Sequence, residues 1–441
     1  YDPSWLAGHA PDGRLACLHY AALLLFPRVS TDIHLHTVID LGTGTTAALL
    51  LITFLLLLIT SLSAKVSAQE TILHSFANTP DGEYPGAGLL MDAKGNLYGT
   101  TEGGGALQGG TVFVLDTSGT ETILYNFPSN PENNAMSMGA LVIDAQGNLC
   151  GSTWEGGSAS GGTVFKLAPD GQETDLHLFT GEGGDGFLSK AGVVVDKKGN
   201  LYGTTIRGGA SGSQLSGYGT VYKIDASGKE TVLYSFTGKT DGGYPYASLA
   251  LDTKGNLYGT TYEGGDLSCQ PPYGCGTVFR VDPAGNENVL YSFTGAYPDY
   301  GASPVGGLVR DKSGNLYGTT SYGGTASYHG NVFKLSPTGT ITNLYSFTGS
   351  NGDGDWPTSN LTLDDQGNLY GATNYGGSPE CYLGCGVIFK VSPAGTESIL
   401  FTFTGSDTGF EPSQLIRHSG HLYGATTGGG TFNVGTIFKI K

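Results

Sequence analysis

GNLYGTT, which occupies residues 199–205, decides the fold because it recurs along the chain with small variations. The seven copies begin at Gly95, Gly147, Gly199, Gly255, Gly314, Gly367 and Gly420. Successive copies start 52 to 59 residues apart. A repeat of this length that alternates short apolar runs with Gly and Asn turns is typical of a propeller blade and not of a helical solenoid. The sequence therefore predicts a ring of similar β-sheets.

Each repeat contains four short runs with the composition of β-strands, which we name a to d in chain order. In the second repeat they are Ala140–Asp144, Asn148–Thr153, Gly162–Leu167 and Glu173–Phe179. The runs are bounded by Gly, Asn, Asp or Pro, as the strands of an antiparallel meander are. The link from a to b, Asp-x-x-Gly-Asn, suits a tight hairpin because Asp bonds its own backbone and Gly accepts a positive φ.

The first and last runs of the repeat region predict how the ring closes. The final repeat has a c run at Gly435–Ile440 and no d run after it. An unused d run, ETILHSF at Glu70–Phe76, precedes the first a run. If this strand completes the last sheet, the ring has no free edge. We therefore predict an all-β, seven-bladed propeller of four-stranded blades over residues 70–441, closed by the N-terminal strand joining the C-terminal blade.

Residues 1–69 lie outside the repeat and are interpreted as a leader. Within it, residues 47–62 form an apolar run, AALLLITFLLLLITSL, that is short for a membrane span. The small residues Val66-Ser67-Ala68 that follow suit cleavage by a signal peptidase. The alternative is an uncleaved N-terminal membrane anchor. Either interpretation predicts a protein that is secreted or held at the cell surface.

The charge of the chain limits the classes of partner. Its formal net charge of −17 argues against binding of nucleic acid or anionic lipid. We therefore expect an extracellular ligand, either a glycan or a protein, and membrane contact only through an uncleaved N-terminal segment. We expect the protein to be a monomer.

Two close pairs of cysteines predict disulfides. Cys269 and Cys275 bracket QPPYG, Cys381 and Cys385 bracket YLG, and both pairs precede a c run. In an exported protein such pairs staple loops. A zinc site is the alternative, but the neighbouring Pro, Tyr and Gly residues supply no further ligands.

The predicted functional face carries a recurring Asp-Gly motif with an aromatic residue. In a four-stranded meander the long d-to-a and b-to-c loops emerge on one face, where propellers place their binding sites. The candidate ligand-binding residues there are Asp81, Tyr84, Asp185, Asp241, Tyr244, Asp353, Asp355 and Trp356. In a functional interpretation, these carboxylates and rings bind the hydroxyls and apolar faces of sugars. In a structural interpretation, Asp-Gly forms turns and the aromatic residues cover the blade cores.

Metal and catalytic motifs are weak in this sequence. Residues 351–355, NGDGD, have a passing likeness to a Ca²⁺ loop but lack the distal Glu of an EF-hand, so we expect no metal site, with Ca²⁺ as the open alternative. His74 and His177 stand where other d runs have Tyr and are interpreted as substitutes for it. The chain has no HExxH and no G-x-S-x-G elbow. A pair of acids from different blades would not be visible in sequence spacing.

The repeats are similar to those of the bacterial GloVer tandem-repeat family, whose units carry GNLYGTT, GTVFKL and ETxLYSF. The matching segments include Gly199–Thr205, Gly162–Leu167 and Glu230–Phe236, and the resemblance covers nearly all of Glu70–Lys441. It implies an exported surface protein and supplies no catalytic residues.

These observations favour a binding or scaffold module, for glycans or other cell-surface polymers, over an enzyme. The alternative is a polysaccharide-active lyase or hydrolase that uses carboxylates of the long-loop face. A purely structural surface protein is the third interpretation. Convergent acids with shifted pKa values at the pore mouth would favour the enzyme, and exposed aromatic rings would favour glycan binding.

Overall fold

The computed structural model describes residues 69–129, 139–210, 216–295, 301–324 and 328–441. Within these ranges the protein consists of strands, turns and loops without a helix, so no described helix is long and apolar enough to cross a membrane. The apolar run at 47–62 of the predicted leader lies outside the described residues.

The strands are short, and many have only two residues. In chain order they are β1 (Glu70–Ser75), β2 (Gly82–Glu83), β3 (Leu90–Met91), β4 (Leu97–Thr101), β5 (Gly103–Gly104), β6 (Gln108–Leu115), β7 (Glu121–Pro128), β8 (Val142–Ile143), β9 (Leu149–Thr153), β10 (Thr163–Leu167), β11 (Glu173–Leu178), β12 (Gly186–Phe187), β13 (Val194–Val195), β14 (Leu201–Thr205), β15 (Arg207–Gly208), β16 (Thr220–Ile224), β17 (Glu230–Ser235), β18 (Ala250–Leu251), β19 (Leu257–Thr261), β20 (Thr277–Val281), β21 (Glu287–Ser292), β22 (Val309–Arg310), β23 (Leu316–Thr320), β24 (Asn331–Leu335), β25 (Ile341–Ser346), β26 (Gly354–Asp355), β27 (Thr362–Leu363), β28 (Leu369–Thr373), β29 (Tyr375–Gly376), β30 (Val387–Val391), β31 (Glu397–Thr402), β32 (Phe410–Pro412), β33 (Ile416–His418), β34 (His421–Gly428) and β35 (Thr436–Ile440).

These strands form the seven predicted antiparallel blades, each hydrogen-bonded in the order a-b-c-d. Blades 1 to 7 comprise β3-β4-β6-β7, β8-β9-β10-β11, β13-β14-β16-β17, β18-β19-β20-β21, β22-β23-β24-β25, β27-β28-β30-β31 and β33-β34-β35-β1. The remaining short strands lie in the loops. There, β2 pairs with β5, β12 with β15 and β26 with β29, and each pair joins an Asp-Gly turn to the segment after strand b.

The N-terminal strand closes the ring as predicted. In blade 7, β1 pairs with β35 in a register that places Glu70 opposite Ile440 and Ser75 opposite Thr436. The backbone N–H of Phe76 then donates to the carbonyl of Gly435 at 3.1 Å. The outer edge of the last c strand is therefore paired, which removes an aggregation-prone edge from the closing blade.

The repeated phrase sets the a-to-b hairpin and part of the core, as blade 1 shows. Gly95 has a φ of +89°, which the turn requires. Asn96 Nδ2 and the Tyr98 hydroxyl both donate to Asp92 Oδ2, at 2.8 and 3.3 Å, which fastens the hairpin to strand b. Between them, Leu97 points into the core and is buried.

The second Gly of the phrase makes room for an aromatic ring. Gly99 lies opposite Phe113 in the b–c pairing, and a Cβ on Gly99 would be 2.6 Å from Phe113 Cζ. The Phe113 ring packs edge-to-face against Phe76, the residue that follows strand d of blade 7, with centroids 5.2 Å apart. Both rings are fully buried. The phrase therefore encodes a contact between blades as well as a strand.

This aromatic contact recurs at each junction between blades. One ring lies at the end of strand d or directly after it, and the other lies in strand c of the next blade, with centroids 4.9 to 5.3 Å apart. Six of the pairs are edge-to-face, and Phe179–Tyr222 is tilted. The pairs are Phe76–Phe113, Phe127–Phe165, Phe179–Tyr222, Phe236–Phe279, Phe293–Phe333, Phe347–Phe389 and Phe403–Phe438. Such a pair contributes about 0.5–1.5 kcal/mol beyond the burial of its area.

The two predicted disulfides, Cys269–Cys275 and Cys381–Cys385, are present, with Cα–Cα distances of 5.6 and 5.2 Å. Each staples the loop between strands b and c of its blade, blade 4 and blade 6 respectively. Their presence is consistent with an extracytoplasmic location. Cys150 is a buried free thiol, and burial raises its pKa to about 12, which keeps it protonated.

Deleting Glu70–Phe76 should abolish cooperative unfolding and promote aggregation, because β35 would become an open edge and Phe113 would lose its partner ring. Circular dichroism melting and light scattering measure the two effects. Phe76→Ala, which keeps the strand, should have a smaller effect and lower the free energy of unfolding by about 3–5 kcal/mol. An unchanged melting transition in the deletion variant would show that β1 does not close the ring.

Replacing Gly259 with Ala should destabilise the protein by about 1–3 kcal/mol, because interiors resist added volume. The new Cβ would lie 2.5 Å from Phe279 Cζ, and Phe279 is held against Phe236. Urea denaturation measures the change. The double variant Gly259→Ala/Phe279→Leu should lose less stability than the sum of the two single variants. Additive losses would show that the ring does not occupy the space above this glycine.

Candidate functional site

The long-loop face, formed by the d-to-a and b-to-c loops, holds the predicted site residues, but the structure gives them different positions. The four aspartates of the Asp-Gly motif lie next to the end of strand d. Asp353, for example, accepts hydrogen bonds from the Tyr345 hydroxyl at 3.1 Å and from the backbone N–H of Thr348 at 2.8 Å. Asp241 accepts equivalent bonds from Tyr234 and Thr237, at 3.0 and 2.8 Å. These two carboxylates fasten the d-to-a turn.

Asp81 and Asp185 occupy the same place but face a histidine. The Nε2 atoms of His74 and His177 lie 3.1 Å from the carboxylates of Asp81 and Asp185 respectively. The backbone N–H groups of Ala77 and Thr180 donate to the same two carboxylates. The interpretation of the histidines as substitutes for Tyr agrees with these positions.

A glutamate from the next blade completes each of these arrangements, which we call outer junctions. An outer junction consists of the Tyr or His near the end of strand d, the Asp of the following loop, and the Glu that begins strand d of the next blade. The junctions with all three residues described are His74–Asp81–Glu121, His177–Asp185–Glu230, Tyr234–Asp241–Glu287 and Tyr345–Asp353–Glu397. Each of these junctions links two consecutive blades.

The predicted aromatic residues lie further along the d-to-a loops, at a backbone position with unusual geometry. The φ angles of Tyr84, Tyr244 and Trp356 are 58°, 56° and 57°, in the left-handed region that side-chain-bearing residues rarely adopt. The same left-handed conformation occurs at the corresponding position of three other loops, at Leu188, Ser303 and Glu411.

Hydrogen bonds explain why this strained conformation persists. The N–H of Tyr244 donates to the Tyr218 carbonyl of the preceding blade at 2.8 Å. Its own carbonyl accepts from the N–H of Tyr262, after strand b of its own blade, at 3.1 Å. Tyr84 makes the same pair of bonds with Val434 and Glu102. The left-handed residue thus connects two blades through its backbone, whatever its side chain.

The three aromatic side chains differ in what they contact. Trp356 stacks on Tyr375 and meets Tyr322 edge-on, both at 5.5 Å between centroids. The Tyr244 ring lies against Tyr218 and under the Arg207 guanidinium. Tyr84 is 43% exposed and lines a central cavity. Of the three, Tyr84 is therefore the one that faces this cavity.

Asp355, the remaining candidate, has a different hydrogen-bonding partner from Asp353. Its Oδ1 lies 3.0 Å from His329 Nδ1, whereas Asp353 is bonded to the turn at the end of strand d. The Ca²⁺ alternative for residues 351–355 remains a prediction.

A cavity of about 540 Å³ opens at the centre of the long-loop face. Loop residues of all seven blades line it, so it lies where the blades converge. Its charged lining residues are Glu102, Lys190 and Glu411. Uncharged polar side chains line it as well, namely Tyr84, Tyr246, Ser248, Thr358, Ser359, Asn360, Asn374, Ser413, Gln414 and Thr427. The volume is in the usual range for small-molecule sites.

Lys190 is held in this cavity between two aromatic rings. Its Nζ lies 5.4 Å from the centroid of Trp154 and 5.8 Å from that of Tyr246, within cation–π range. Burial lowers the pKa of Lys190, and the nearby Glu102 carboxylate opposes this shift. The ammonium is therefore partly desolvated and fixed, with an acid on one side.

The acids of the cavity also interact with each other. Burial raises the pKa of Glu102, Lys190 opposes the shift and Glu411 adds to it. A Cβ at Gly86 would lie 2.5 Å from Glu102 Oε1, so this glycine leaves the space that the carboxylate fills. Thr427 Oγ1 donates to Glu411 Oε2 at 3.1 Å. These contacts hold the two carboxyl groups in place before any ligand arrives.

Sequence reasoning did not identify Glu102, Lys190, Tyr246 or Glu411 as residues of a common site. A signal was present in the repeat. Lys190 and Tyr246 each stand two positions after the left-handed residue of their loop, and Glu102 directly follows a copy of GNLYGTT. Alignment of the seven repeats on those two positions would have identified cavity-lining residues.

Comparisons with known proteins agree with the fold. The Gloeobacter/Verrucomicrobia repeat matches residues 60–270 and 267–441. No curated protein matches the chain. The extracellular domain of a proposed one-component system from B. thetaiotaomicron is similar with a TM-score of 0.50 and 12% identity, over 82% of this chain and 39% of that one. A gluconolactonase from Xanthomonas campestris has a TM-score of 0.40 and 17% identity, over 71% of this chain and 90% of that one. At 12% identity the likeness to the extracellular domain concerns the fold alone.

The free energy of unfolding should fall as the pH rises from about 5 to 8. Burial raises the pKa of Glu70 to about 8 and that of Glu287 to about 7, from an ordinary value of 4.5. Between these values the unfolded chain has released protons that the folded chain keeps, so each pH step favours unfolding until the folded pKa is passed. Urea denaturation at several pH values measures the slope.

Glu70→Gln and Glu287→Gln should each flatten this slope, because the amide does not titrate. Lys441→Met, at an exposed position, is the control and should keep the wild-type slope. An unaltered slope in both glutamine variants would contradict the assignment.

Proposed function

The chain belongs to the Gloeobacter/Verrucomicrobia repeat family, and we propose that it is a binding module that holds a neutral carbohydrate in the central cavity of its long-loop face. The observation that carries this proposal is the lining of the cavity, where one ammonium, two carboxyl groups, several amides and hydroxyls and two tyrosine rings converge.

The charges favour a neutral ligand. Lys190 is balanced by Glu102 and Glu411, so the cavity offers no excess of positive charge to a polyanion. Amide and hydroxyl side chains donate and accept at the same site, which suits sugar hydroxyls because each of these also does both. The exposed ring of Tyr84 supplies an apolar face against which a pyranose can stack.

The proposed location is outside the cytoplasm, at the cell surface or secreted. The two disulfides support it, since such bonds persist in oxidising compartments. Export would depend on the apolar run at residues 47–62. A module placed there meets the polysaccharides of the cell's surroundings, which is the ligand class that the cavity favours.

The second candidate function is hydrolysis of a glycan, and one observation favours it. Glu102 and Glu411 share the cavity, and burial together with the Glu411 charge raises the pKa of Glu102. Glycoside hydrolases use two carboxyl groups, of which the one with the raised pKa acts as the acid. In that case Glu102 would donate a proton to the leaving oxygen and Glu411 would act as the base or nucleophile.

A glycan array probed with the full chain tests the binding proposal. Lys190→Met and Tyr84→Ala should each weaken binding to the recognised glycan about tenfold, since each removes one charged or stacking contact. Tyr382→Ala is the matched control because this ring is 99% exposed and lies outside the cavity lining. It should bind as the wild type does.

Two results separate the alternatives. Release of shortened products from the array, abolished by Glu102→Gln, would establish the hydrolase. Absence of binding to any glycan, or wild-type binding in Lys190→Met and Tyr84→Ala, would overturn the carbohydrate proposal and leave a scaffold role.

A further inference from the structure

We propose that two outer junctions, His74–Asp81–Glu121 and His177–Asp185–Glu230, are binding sites for a divalent transition-metal cation of the Zn²⁺ class. In each junction one imidazole nitrogen and two carboxylate oxygens lie within 4.8 Å of one another. The three residues come from strand d of one blade, the following loop and strand d of the next blade. A cation bound there would cross-link blade 7 to blade 1 and blade 2 to blade 3.

The distances suit a cation of this class. In both junctions the histidine Nε2 lies 3.1 Å from a carboxylate oxygen of the aspartate. Two ligand atoms that are each about 2.0–2.1 Å from Zn²⁺ lie roughly 3–3.4 Å apart. The distance between the histidine nitrogen and the aspartate oxygen therefore already suits two ligands of one Zn²⁺. The glutamate oxygen lies within 4.8 Å of the other two ligand atoms, where it can supply the third ligand.

The surroundings fix the ligands before a cation arrives. The rings of His74 and His177 pack edge-on against Phe76 and Phe179, both with centroids 4.7 Å apart. The aspartates are held by backbone N–H groups, from Ala77 and Gly82 in one junction and from Thr180 and Gly186 in the other. Such outer contacts orient metal ligands and raise affinity.

The glutamates supply the second observation that points to a cation. Glu230 Oε1 is buried and has no hydrogen-bond partner among the described residues. The Glu121 carboxyl is hydrogen-bonded to Asp81, and a bound cation would take the place of the proton that these two acids share. A buried carboxylate oxygen without a partner is unfavourable, and a bound cation satisfies it. The histidine and aspartate side chains of the two junctions remain 12–22% exposed, so an ion can enter from solvent.

The other outer junctions serve as internal controls. Tyr234–Asp241–Glu287 and Tyr345–Asp353–Glu397 have the same strand and loop positions. Their neutral phenol donates to the aspartate and is a poor metal ligand at neutral pH. The imidazole therefore distinguishes the two proposed sites. One nitrogen with two carboxylates is a ligand set that suits Zn²⁺ better than Ca²⁺, which takes six to eight oxygens.

The test uses the full chain after removal of metal with a chelator, with Zn²⁺ as the probe in titration calorimetry. The variants His74→Tyr and His177→Tyr convert each site into the tyrosine junction that the chain already contains, so they should fold normally. We expect each variant to bind one Zn²⁺ fewer than the wild type and the double variant to bind two fewer. His418→Tyr, at an exposed position outside both junctions, should bind as the wild type does.

Thermal melting supplies a second readout. Zn²⁺ at about 100 times its dissociation constant should raise the melting temperature of the wild type by several degrees and leave that of the double variant unchanged. The metal-free double variant should melt within about 2 °C of the metal-free wild type, because a phenol–Asp bond replaces the imidazole–Asp contact. Equal Zn²⁺ stoichiometry in the wild type and the double variant would overturn the proposal. Equal Zn²⁺ stabilisation of the two proteins would overturn it as well.

Discussion

The edge-to-face contact between an aromatic ring of strand d and one of strand c in the next blade is the interaction on which the molecule depends. It needs a glycine in strand b, because a Cβ at Gly99 or Gly259 would occupy the space of the Phe ring opposite it. It also needs the two rings to come from different blades, so no blade can complete its core alone. The ring must therefore close, and the N-terminal segment Glu70–Phe76 closes it by supplying both β1 and Phe76 to the last junction.

Consecutive blades contact each other in three layers, of which the aromatic pairs are the first. Beneath the long-loop face, the aromatic pairs join the blade cores. Near the cavity, left-handed residues such as Tyr244 hydrogen-bond the preceding blade through their backbone N–H. At the outer junctions, Asp and Glu side chains from neighbouring blades meet. Because the backbone carries the second layer, the side chain at that position varies among Tyr, Leu, Ser, Trp and Glu without loss of the connection.

The sequence predicted the parts of this structure that repeat. The GNLYGTT spacing predicted seven blades, the unused run at Glu70–Phe76 predicted closure, and the cysteine spacing predicted both disulfides, all of which are confirmed. The central cavity could not be predicted in the same way. Lys190, Glu102 and Glu411 are not repeated residues, and they belong to blades 3, 1 and 7. Their spacing along the chain does not reveal that they meet in one cavity, which is visible only in the three-dimensional structure.

The division between repeated and unrepeated residues also explains how a fixed ring can carry a particular chemistry. The position two residues after the left-handed residue points to the cavity, and there Gly86, Lys190, Tyr246, Val305, Thr358 and Ser413 all differ. Substitution at this position leaves the backbone bonds and the aromatic pairs intact. The lining can therefore change while the scaffold stays the same, and rigid loops hold the new side chains in place. A preorganised lining loses little conformational entropy on binding, which favours affinity for a small polar ligand.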